Sequence, residues 1–480
     1  MSARAALQFR AGLFAALALL VCAAALGTAL VPARAETPLH FPAVHAAKLA
    51  NGLRVFVVEH HELPLVSVRV VVEGAGEVAD PAGKEGLADL VAETLTLGGG
   101  GMGAEAYADA VAALGASMGA AANVDEAYLA GTGAAPDLDA LLDLSARAVL
   151  TPSFEGGEVK RAVRKRIADL EERMDRPGML ASDALLRWVF PSHPYGHPIG
   201  GTIAGIKACS RADAQRLHRM RYGPAAAFVV VAGDVSAAAG RAAVERRFGA
   251  WAPAKEFVPP VAPPSPAPPP DGRTLFIVDS RDTSQVNLKL AVPGPSRRAA
   301  EGRYPALMLA SAMLAGGFTS RLVDRLRVDL GLVYSVDSGF EMNVAGGYFD
   351  VSTATDLDTA RKLVDETMAV LADFIKTGPT TEELDGAKAY LGGGFPLGYQ
   401  TADGLAAAVH DRVVFGLPDD WDERYLPALR ATNAAAVRSA LAELLAPGRV
   451  GLVVVGPADK IRKAFEGWAP RTVVRPRDDI

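Results

Sequence analysis

Two stretches of the chain, 220 residues apart, share one order of apolar and polar positions. Residues 52–72 read GLRVFVVEHHELPLVSVRVVV, and residues 272–292 read GRTLFIVDSRDTSQVNLKLAV. Each stretch has two short runs rich in β-branched residues around a polar turn, which predicts two adjacent strands. Each is followed by an apolar helical stretch, GLADLVAETLTLGG in the first case and YPALMLASAMLAGG in the second.

The ends of the two copies also match. AFVVVAGDVSAAAGRAAVERRFGAWAP ends at Pro253, and VGLVVVGPADKIRKAFEGWAP ends at Pro470. Each predicts a buried strand, a glycine turn and an amphipathic helix. Because long helices alternate with strands inside both copies, we predict an α+β fold of two duplicated domains, with helices packed on a sheet in each.

A proline-rich stretch, VPPVAPPSPAPPP at 258–270, lies between the copies. Proline at this density excludes a helix or a central strand and favours a semi-rigid, extended connector. We therefore predict an N-terminal domain over 36–255, a linker over 256–271 and a C-terminal domain over 272–480.

The first 35 residues have the three parts of a secretory signal peptide: Arg4 and Arg10, an apolar run, and the small-x-small sequence ARA. The alternative is a membrane anchor, since the run is just long enough to span a bilayer. After cleavage Cys209 would be the only cysteine, so no internal disulfide is expected. We predict export, a soluble periplasmic protein, and no attachment to the membrane after cleavage.

The net charge and its distribution indicate which classes of partner to expect. The net charge is −6, and both signs are spread along the chain without a basic stripe. Nucleic acid is therefore not an expected partner.

The segment GKEGLADLVAETLTLGG resembles the pitrilysin/insulinase-type (inverzincin) zinc metallopeptidases, in which this helix carries His-x-x-Glu-His. The resemblance implies two histidines that share a zinc ion, a glutamate that activates its water, and a third ligand from a later helix. Asp89 and Glu93 stand where the family has histidine, and Ala92 replaces the catalytic glutamate. Glu158 falls at the third-ligand position. The motif is absent, and we expect no metal and no cofactor in this chain.

Two interpretations of the remaining carboxylates stay open. In one, Asp89, Glu93 and Glu158 form a site for a hard cation such as Ca²⁺ or Mg²⁺. In the other, they are polar residues facing a wet cavity, and Glu158 is simply an acid in the first turn of a helix. His193 and Tyr195 lie in SHPYGHPIGGT, which resembles a loop of the same family, and we interpret them as loop and packing residues.

Two further segments resemble the family. In SRLVDRLRVDLGLVYSVDSGFE, Arg327 and Tyr334 are seven residues apart. The resemblance implies that they bind the substrate backbone and stabilise the tetrahedral intermediate, for which both are suitable donors. The alternative is a solvated helix arginine and a strand tyrosine. The stretch MGAAANVDEAYLAGTG, residues 118–133, corresponds to the family's edge strand, which binds extended peptides.

The resemblance implies two similar domains, each a mostly antiparallel sheet covered by helices as in mitochondrial processing peptidase, facing each other like a clamshell. It also implies bacterial pairs in which one subunit carries zinc and the other does not. We predict the zinc-less, non-catalytic subunit of a heterodimeric periplasmic metallopeptidase, inactive alone. It would bind unstructured peptides and supply Arg327 and Tyr334 in trans to a zinc-bearing homologous partner. The alternatives are a non-proteolytic peptide-binding or scaffold protein and, more weakly, an independent metallopeptidase with a carboxylate site.

Overall fold

The framework of the protein is a pair of six-stranded sheets, one in each copy of the repeat. The structure is a computed structural model that describes residues 40–281, 285–446 and 448–479, so the predicted signal peptide lies outside the described residues. The strands are β1 (Val44–Lys48), β2 (Arg54–Glu59), β3 (Leu65–Glu73), β4 (Ser117–Ala122), β5 (Glu126–Ala134), β6 (Ala227–Gly233), β7 (Arg273–Asp279), β8 (Val286–Gly294), β9 (Val336–Met342), β10 (Gly347–Thr355), β11 (Val450–Gly456) and β12 (Arg471–Pro476).

Helices fill the sequence between the strands in both copies. In the first they are α1 (Leu87–Leu95), α2 (Ala104–Ala113), α3 (Leu138–Leu150), α4 (Gly156–Met174), α5 (Pro177–Val189), α6 (Ile203–Lys207), α7 (Arg211–Arg221) and α8 (Ala237–Phe248). In the second they are α9 (Tyr304–Ala315), α10 (Leu357–Thr377), α11 (Thr381–Gly394), α12 (Ala402–Val414), α13 (Trp421–Ala431), α14 (Ala434–Leu445) and α15 (Ala458–Ala464). A π-helical segment covers Val323–Asp329.

The two sheets repeat one topology. Their strand orders are β1-β2-β6-β3-β5-β4 and β12-β7-β11-β8-β10-β9. In each, the second and third strands of the order are parallel (β2 with β6, β7 with β11), and the three pairs that follow are antiparallel. The predicted α+β fold with duplicated, mostly antiparallel sheets is confirmed.

The outermost strand on one side differs between the sheets. β1 comes from before β2 and pairs with it antiparallel, whereas β12 comes from after β11 and pairs parallel to β7. The same edge position is therefore filled from opposite directions along the chain in the two copies.

Each sheet is covered on one face by a helix from the other copy. Helix α12 of the second copy packs on β3 and β6, and α5 of the first copy packs on β8 and β11. In the first sheet, Phe228 and Val230 share a core cluster with Leu405 and Val409. Every residue of β6 and β11 is buried, which explains their unbroken apolar sequences. The two copies are thus interlocked by an exchange of helices, and the predicted domain boundaries stay a prediction.

The proline-rich segment at 258–270 contains no helix or strand, as predicted. It lies against the first copy, where His193 Nε2 donates a hydrogen bond to the carbonyl oxygen of Pro264 (2.9 Å). Among the described residues, no helix combines the length and the apolar character that crossing a lipid bilayer requires.

Candidate functional site

Helix α1 carries the three positions where the motif would lie. It begins after Gly86, whose φ of 97° favours glycine, and the Asp80 carboxylate accepts hydrogen bonds from the N–H groups of Gly86 (2.5 Å) and Ala88 (2.7 Å). Asp80 therefore holds the first turn of α1 in the manner of a capping residue. Ala92 is fully buried in the apolar core, and its methyl side chain has no group for acid–base chemistry.

An arginine lies between the two remaining acids of the motif. The Arg166 guanidinium of α4 forms an ion pair with Asp89 and donates from Nη2 to Glu93 Oε2 (2.8 Å). Lys165 Nζ lies 3.5 Å from Glu93 Oε1 and 2.9 Å from Asp169 Oδ2. The charges of the acids are therefore balanced by two cations of the chain itself.

The electrostatics of this cluster follow from burial and charge. Asp89 is only 6% exposed, and burial raises its pKa, although Arg166 opposes the shift. Burial lowers the pKa of Arg166, but the Asp89 and Glu93 carboxylates outweigh that effect and bring the pKa above its usual value. Each charge is thus kept in the interior by the other, as expected for a desolvated ion pair.

Glu158 is placed elsewhere. Its carboxylate pairs with Arg161, one turn further along α4, with Arg161 Nε 3.1 Å from Oε2. Within residues 40–281, 285–446 and 448–479, no three His, Cys, Asp or Glu side chains are grouped so that they could hold a metal ion. The alternative of a site built from Asp89, Glu93 and Glu158 is therefore wrong for this structure. The residues present also do not fit zinc, because they include no histidine ligand and place a guanidinium between the acids.

Sequence reasoning missed Lys165, Arg166 and Asp169. The only available signal was the charge pattern of α4, EVKRAVRKRIADLEERM, in which Lys165 and Asp169 are one turn apart. Nothing local in that pattern shows which of its many charges faces α1.

Strand β4 lies beside this cluster as the outer strand of its sheet. The N–H of Ala122 donates to the Asp89 carboxylate, which ties the end of β4 to α1. Asn123 N–H donates to Glu126 O (2.8 Å) across the turn to β5. Because bonded positions alternate along an antiparallel strand, the N–H groups of Met118 and Ala120 point away from β5. A side chain added at Gly119 would meet nothing within 4 Å. β4 therefore offers an open, uncharged edge for an extended peptide.

Arg327 and Tyr334 form an exposed cluster in the second copy. The Arg327 guanidinium carbon lies 5.3 Å from the centre of the Tyr334 ring and 5.7 Å from that of Phe318. Tyr334 is 86% exposed and Phe318 is 82% exposed. The predicted pair is therefore adjacent in space, with the tyrosine open to solvent and the arginine half-buried. The contacts described for Arg327 lie within the second copy, not at Asp89 or Glu93.

Tyr195 lies at a junction between the copies. Its hydroxyl donates to Asp125 Oδ1 (2.5 Å) and accepts from Ala345 N–H (3.1 Å), while Val344 N–H donates to Asp125 Oδ2 (2.9 Å). Asp125 lies in the β4–β5 turn, and Val344 and Ala345 lie in the β9–β10 turn. The residue that we interpreted as packing therefore joins two equivalent turns.

Two family models match adjacent parts of the chain. "Insulinase (Peptidase family M16)" matches residues 54–203, and "Peptidase M16 inactive domain" matches residues 208–391. The chain belongs to the insulinase-type M16 peptidase family. Within M16, it is a homologue whose described residues contain no metal site and which lacks the zinc-binding motif.

Some relatives in the M16 family are named as zinc proteases and another is named as a non-peptidase homolog. An uncharacterized zinc protease of Mycobacterium bovis is 30% identical over 264 residues, which are 55% of this chain and 59% of the relative. The chain thus spans less than two thirds of that protein. A Helicobacter pylori protein named as a non-peptidase homolog is 23% identical over 372 residues, 77% of this chain and 83% of the relative.

A solved M16 structure supports the fold at higher coverage. The peptidase M16 inactive domain from Pseudomonas fluorescens superposes with a TM-score of 0.80 at 26% identity, covering 86% of this chain and 98% of the other. The two-sheet architecture is therefore that of an M16 protein along nearly all of the described chain.

Proposed function

We propose that this chain is the zinc-less subunit of a two-subunit periplasmic metallopeptidase. It binds unstructured peptides along β4 and presents Arg327 and Tyr334 to the zinc site of a homologous partner. The observation that carries the proposal is the contrast between two places: Arg166 fills the space between Asp89 and Glu93, while Tyr334 is exposed beside a half-buried Arg327.

The exposure of the Arg327 cluster supports a role in trans. Phe318, Val328 and Tyr334 are all large apolar side chains left in solvent within one short stretch. Grouped apolar exposure beside a cation is typical of a surface that another molecule covers. The Arg327 guanidinium carbon lies 5.3 Å from the centre of the Tyr334 ring. A guanidinium and a phenol this close supply two donors to a developing oxyanion.

The open edge of β4 supports peptide binding. Extended peptides add to such an edge through backbone hydrogen bonds, and small side chains allow a close approach. Export is supported by the signal-peptide pattern over 1–35.

The experiment compares the chain alone, a zinc-bearing M16 partner alone, and the mixture. Bound zinc is measured by mass spectrometry, and cleavage is followed with a quenched fluorescent unstructured peptide. We expect no zinc in the lone chain and faster cleavage in the mixture than in either component. Zinc with cleavage in the lone chain would refute the proposal.

Variants isolate the contribution in trans. Arg327→Ala and Tyr334→Phe should each lower the kcat of the mixture by about a hundredfold to a thousandfold, the range for loss of an oxyanion donor. Tyr390→Phe is the matched control, because Tyr390 is also exposed (66%) but outside the cluster. Unchanged kcat in both cluster variants would contradict the role of the pair.

The second candidate is a non-proteolytic peptide-binding or scaffold protein. The open β4 edge beside a buried Ala92 favours it, as does the name of the Helicobacter pylori relative. It predicts that the lone chain binds peptide and that a zinc-bearing partner neither associates with it nor gains activity. Independent hydrolysis at a carboxylate site is the weakest alternative, since Glu158 pairs with Arg161 instead.

A further inference from the structure

The arginines at positions 321, 325 and 327 lie on one short segment but differ in their partners. Arg321 Nε donates to Glu383 Oε1 (2.6 Å), and Arg325 Nε donates to Glu366 Oε2 (2.9 Å). In the part of the chain that the structure describes, the Arg327 side chain has no hydrogen bond and no ion pair. Its charge is therefore not neutralised by any described carboxylate, unlike the charges of its two neighbours.

The hydrogen-bond donors of Arg327 and Tyr334 reach solvent. Arg327 is half-buried, yet none of its nitrogens is among the described buried side-chain atoms that lack a hydrogen-bond partner. Because these nitrogens have no partner either, they must be accessible to water. Tyr334 is 86% exposed, and its hydroxyl likewise has no partner among the described residues. A guanidinium has five N–H donors, and the face of an aromatic ring is only a weak acceptor for them.

Apolar side chains lie beside these donors. Phe318 is 82% exposed and its ring centre is 5.7 Å from the Arg327 guanidinium carbon, while Val328, the next residue, is 68% exposed. A planar guanidinium binds a carboxylate through two parallel hydrogen bonds. A ligand that complements both features has a carboxylate a few bonds away from an apolar group. The last residue of a peptide has this composition when its side chain is apolar.

We infer that Arg327 and Tyr334 bind the C-terminal carboxylate of peptides that end in an apolar residue, whose side chain packs against Phe318. The inference rests on the proposed function, since hydrolysis breaks the peptide C–N bond and leaves a carboxylate on one product and an amine on the other. The oxyanion of the tetrahedral intermediate becomes an oxygen of that carboxylate. The same donors therefore serve the intermediate first and the product afterwards.

The test is isothermal titration of the purified mature chain with three matched peptides. N-acetyl-Gly-Gln-Leu with a free C-terminal carboxylate is compared with its own amide and with the amide of N-acetyl-Gly-Glu-Leu, which carries the charge on a side chain. We expect the free acid to bind saturably and both amides to bind about tenfold or more weakly. The preference should shrink at about 1 M salt, where exposed charges are screened.

Three outcomes would overturn the inference. The first is no saturable binding of the free acid, and the second is equal binding of the acid and its amide. The third is tighter binding of the Glu-containing amide than of the free acid, which would assign the cluster to acidic side chains.

Variants test which groups hold the carboxylate. Arg327→Gln should weaken the free acid about tenfold and leave its amide unchanged, and Tyr334→Phe should weaken the acid about threefold. Phe318→Ser should weaken acid and amide alike, because it removes only the apolar contact. Phe318 and Tyr334 are exposed, so their variants should fold. Arg462→Gln, an exposed arginine on α15, is the control. An acid preference unchanged in both Arg327→Gln and Tyr334→Phe overturns the inference.

The titration separates this inference from the proposed function. A pair that cleaves peptides while the lone chain shows no acid preference would retain the proposed function and remove the inference. A lone chain that prefers the acid, with a mixture that does not cleave, would retain the carboxylate site and remove the peptidase role.

Discussion

The outer strands β4 and β9 occupy equivalent positions in the two sheets but differ in chemistry. Gly119 and Gly339 lie 220 residues apart, and a side chain at either would meet nothing within 4 Å. β4 reads SMGAAA and carries no charge, whereas β9 reads VDSGFEM and exposes Asp337 and Glu341. Charge on an outer strand discourages pairing with another chain. The two copies therefore share a backbone arrangement but differ at this edge. β4 is open to pairing with another strand, whereas the charged side chains of β9 disfavour such pairing.

The helices behind these strands differ in the same way. In the first copy, Asp89 of α1 accepts the N–H of Ala122 and pairs with Arg166. In the second, Ser311 of α9 and Ser338 of β9 exchange neutral hydrogen bonds of 3.0 and 3.2 Å. The same helix–strand contact is thus ionic in one copy and neutral in the other, so its sensitivity to a single substitution should differ.

Loss of Arg166 should have the largest effect on stability. Arg166→Ala leaves Asp89 buried and without its cation, at a cost of about 2–4 kcal/mol in the free energy of unfolding. Urea denaturation followed by circular dichroism measures it. The control Arg161→Ala removes an arginine whose side chain is 62% exposed from its pair with the half-buried Glu158, and should cost less than the loss of Arg166, about 1 kcal/mol. Equal costs for the two variants would mean that the internal position of Arg166 confers nothing.

The Arg166→Ala deficit should also depend on pH. The pKa of Asp89 lies above its ordinary value of 3.8, chiefly through burial, so the folded state binds this proton more tightly than the unfolded chain does. The contribution of Asp89 protonation to the free energy of unfolding is therefore fully present below pH 3.8, and it is lost as the pH rises through the pKa of the folded state. Without Arg166 the pKa rises further, and the deficit should be smaller at about pH 5 than at about pH 7. A deficit independent of pH would contradict an electrostatic cause.

Loss of the Tyr195 hydroxyl should rank next. Tyr195→Phe removes the donor to Asp125 and the acceptor of Ala345 N–H, at a cost of about 1–3 kcal/mol. Thermal unfolding measures it. Tyr222→Phe is the matched control, because its buried hydroxyl has no hydrogen-bond partner among the described residues. If both variants unfold at the same temperature, the connection between the two turns does not stabilise the protein.

Closing the open edge should weaken peptide binding by about tenfold. Ala120→Pro removes an N–H that points away from β5 and is free to bond to a peptide. The expected loss of affinity corresponds to about one hydrogen bond, including the geometry that the bond imposes. Fluorescence anisotropy of a labelled unstructured peptide measures the affinity. Ala120→Ser keeps both the donor and a small side chain, and should bind as the native chain does. Equal affinity for Ala120→Pro and Ala120→Ser would place the peptide away from β4.

Removing the two acidic side chains from β9 should give the smallest effect. The double change Asp337→Ser with Glu341→Ser should allow weak self-association through β9, visible by sedimentation velocity at high concentration. The control is Asp139→Ser, which removes an exposed acid on α3. A strictly unchanged sedimentation coefficient in the double variant would show that charge is not what keeps β9 unpaired.

Much of the scaffold was predictable because its signals are local. Alternating apolar runs indicate strands, helical periodicity indicates helices, and the 220-residue offset indicates the duplication. The missing motif at Asp89, Ala92 and Glu93 was equally readable, since it depends only on residue identity. Glu158 failed as a partner of these acids because spacing along a helix says nothing of which turn faces α1.

The sequence by itself determined the two copies, the order of their strands and helices, and the loss of the zinc-binding residues, because each is written in short-range pattern. Only the tertiary structure decided that α5 and α12 exchange sheets, that Arg166 lies between Asp89 and Glu93, and that Tyr195 joins two turns. Those contacts connect segments 70 or more residues apart and depend on how whole elements pack. Which helix covers which sheet, and which charges pair, depends on burial and on charge compensation between distant segments. A local sequence pattern contains neither.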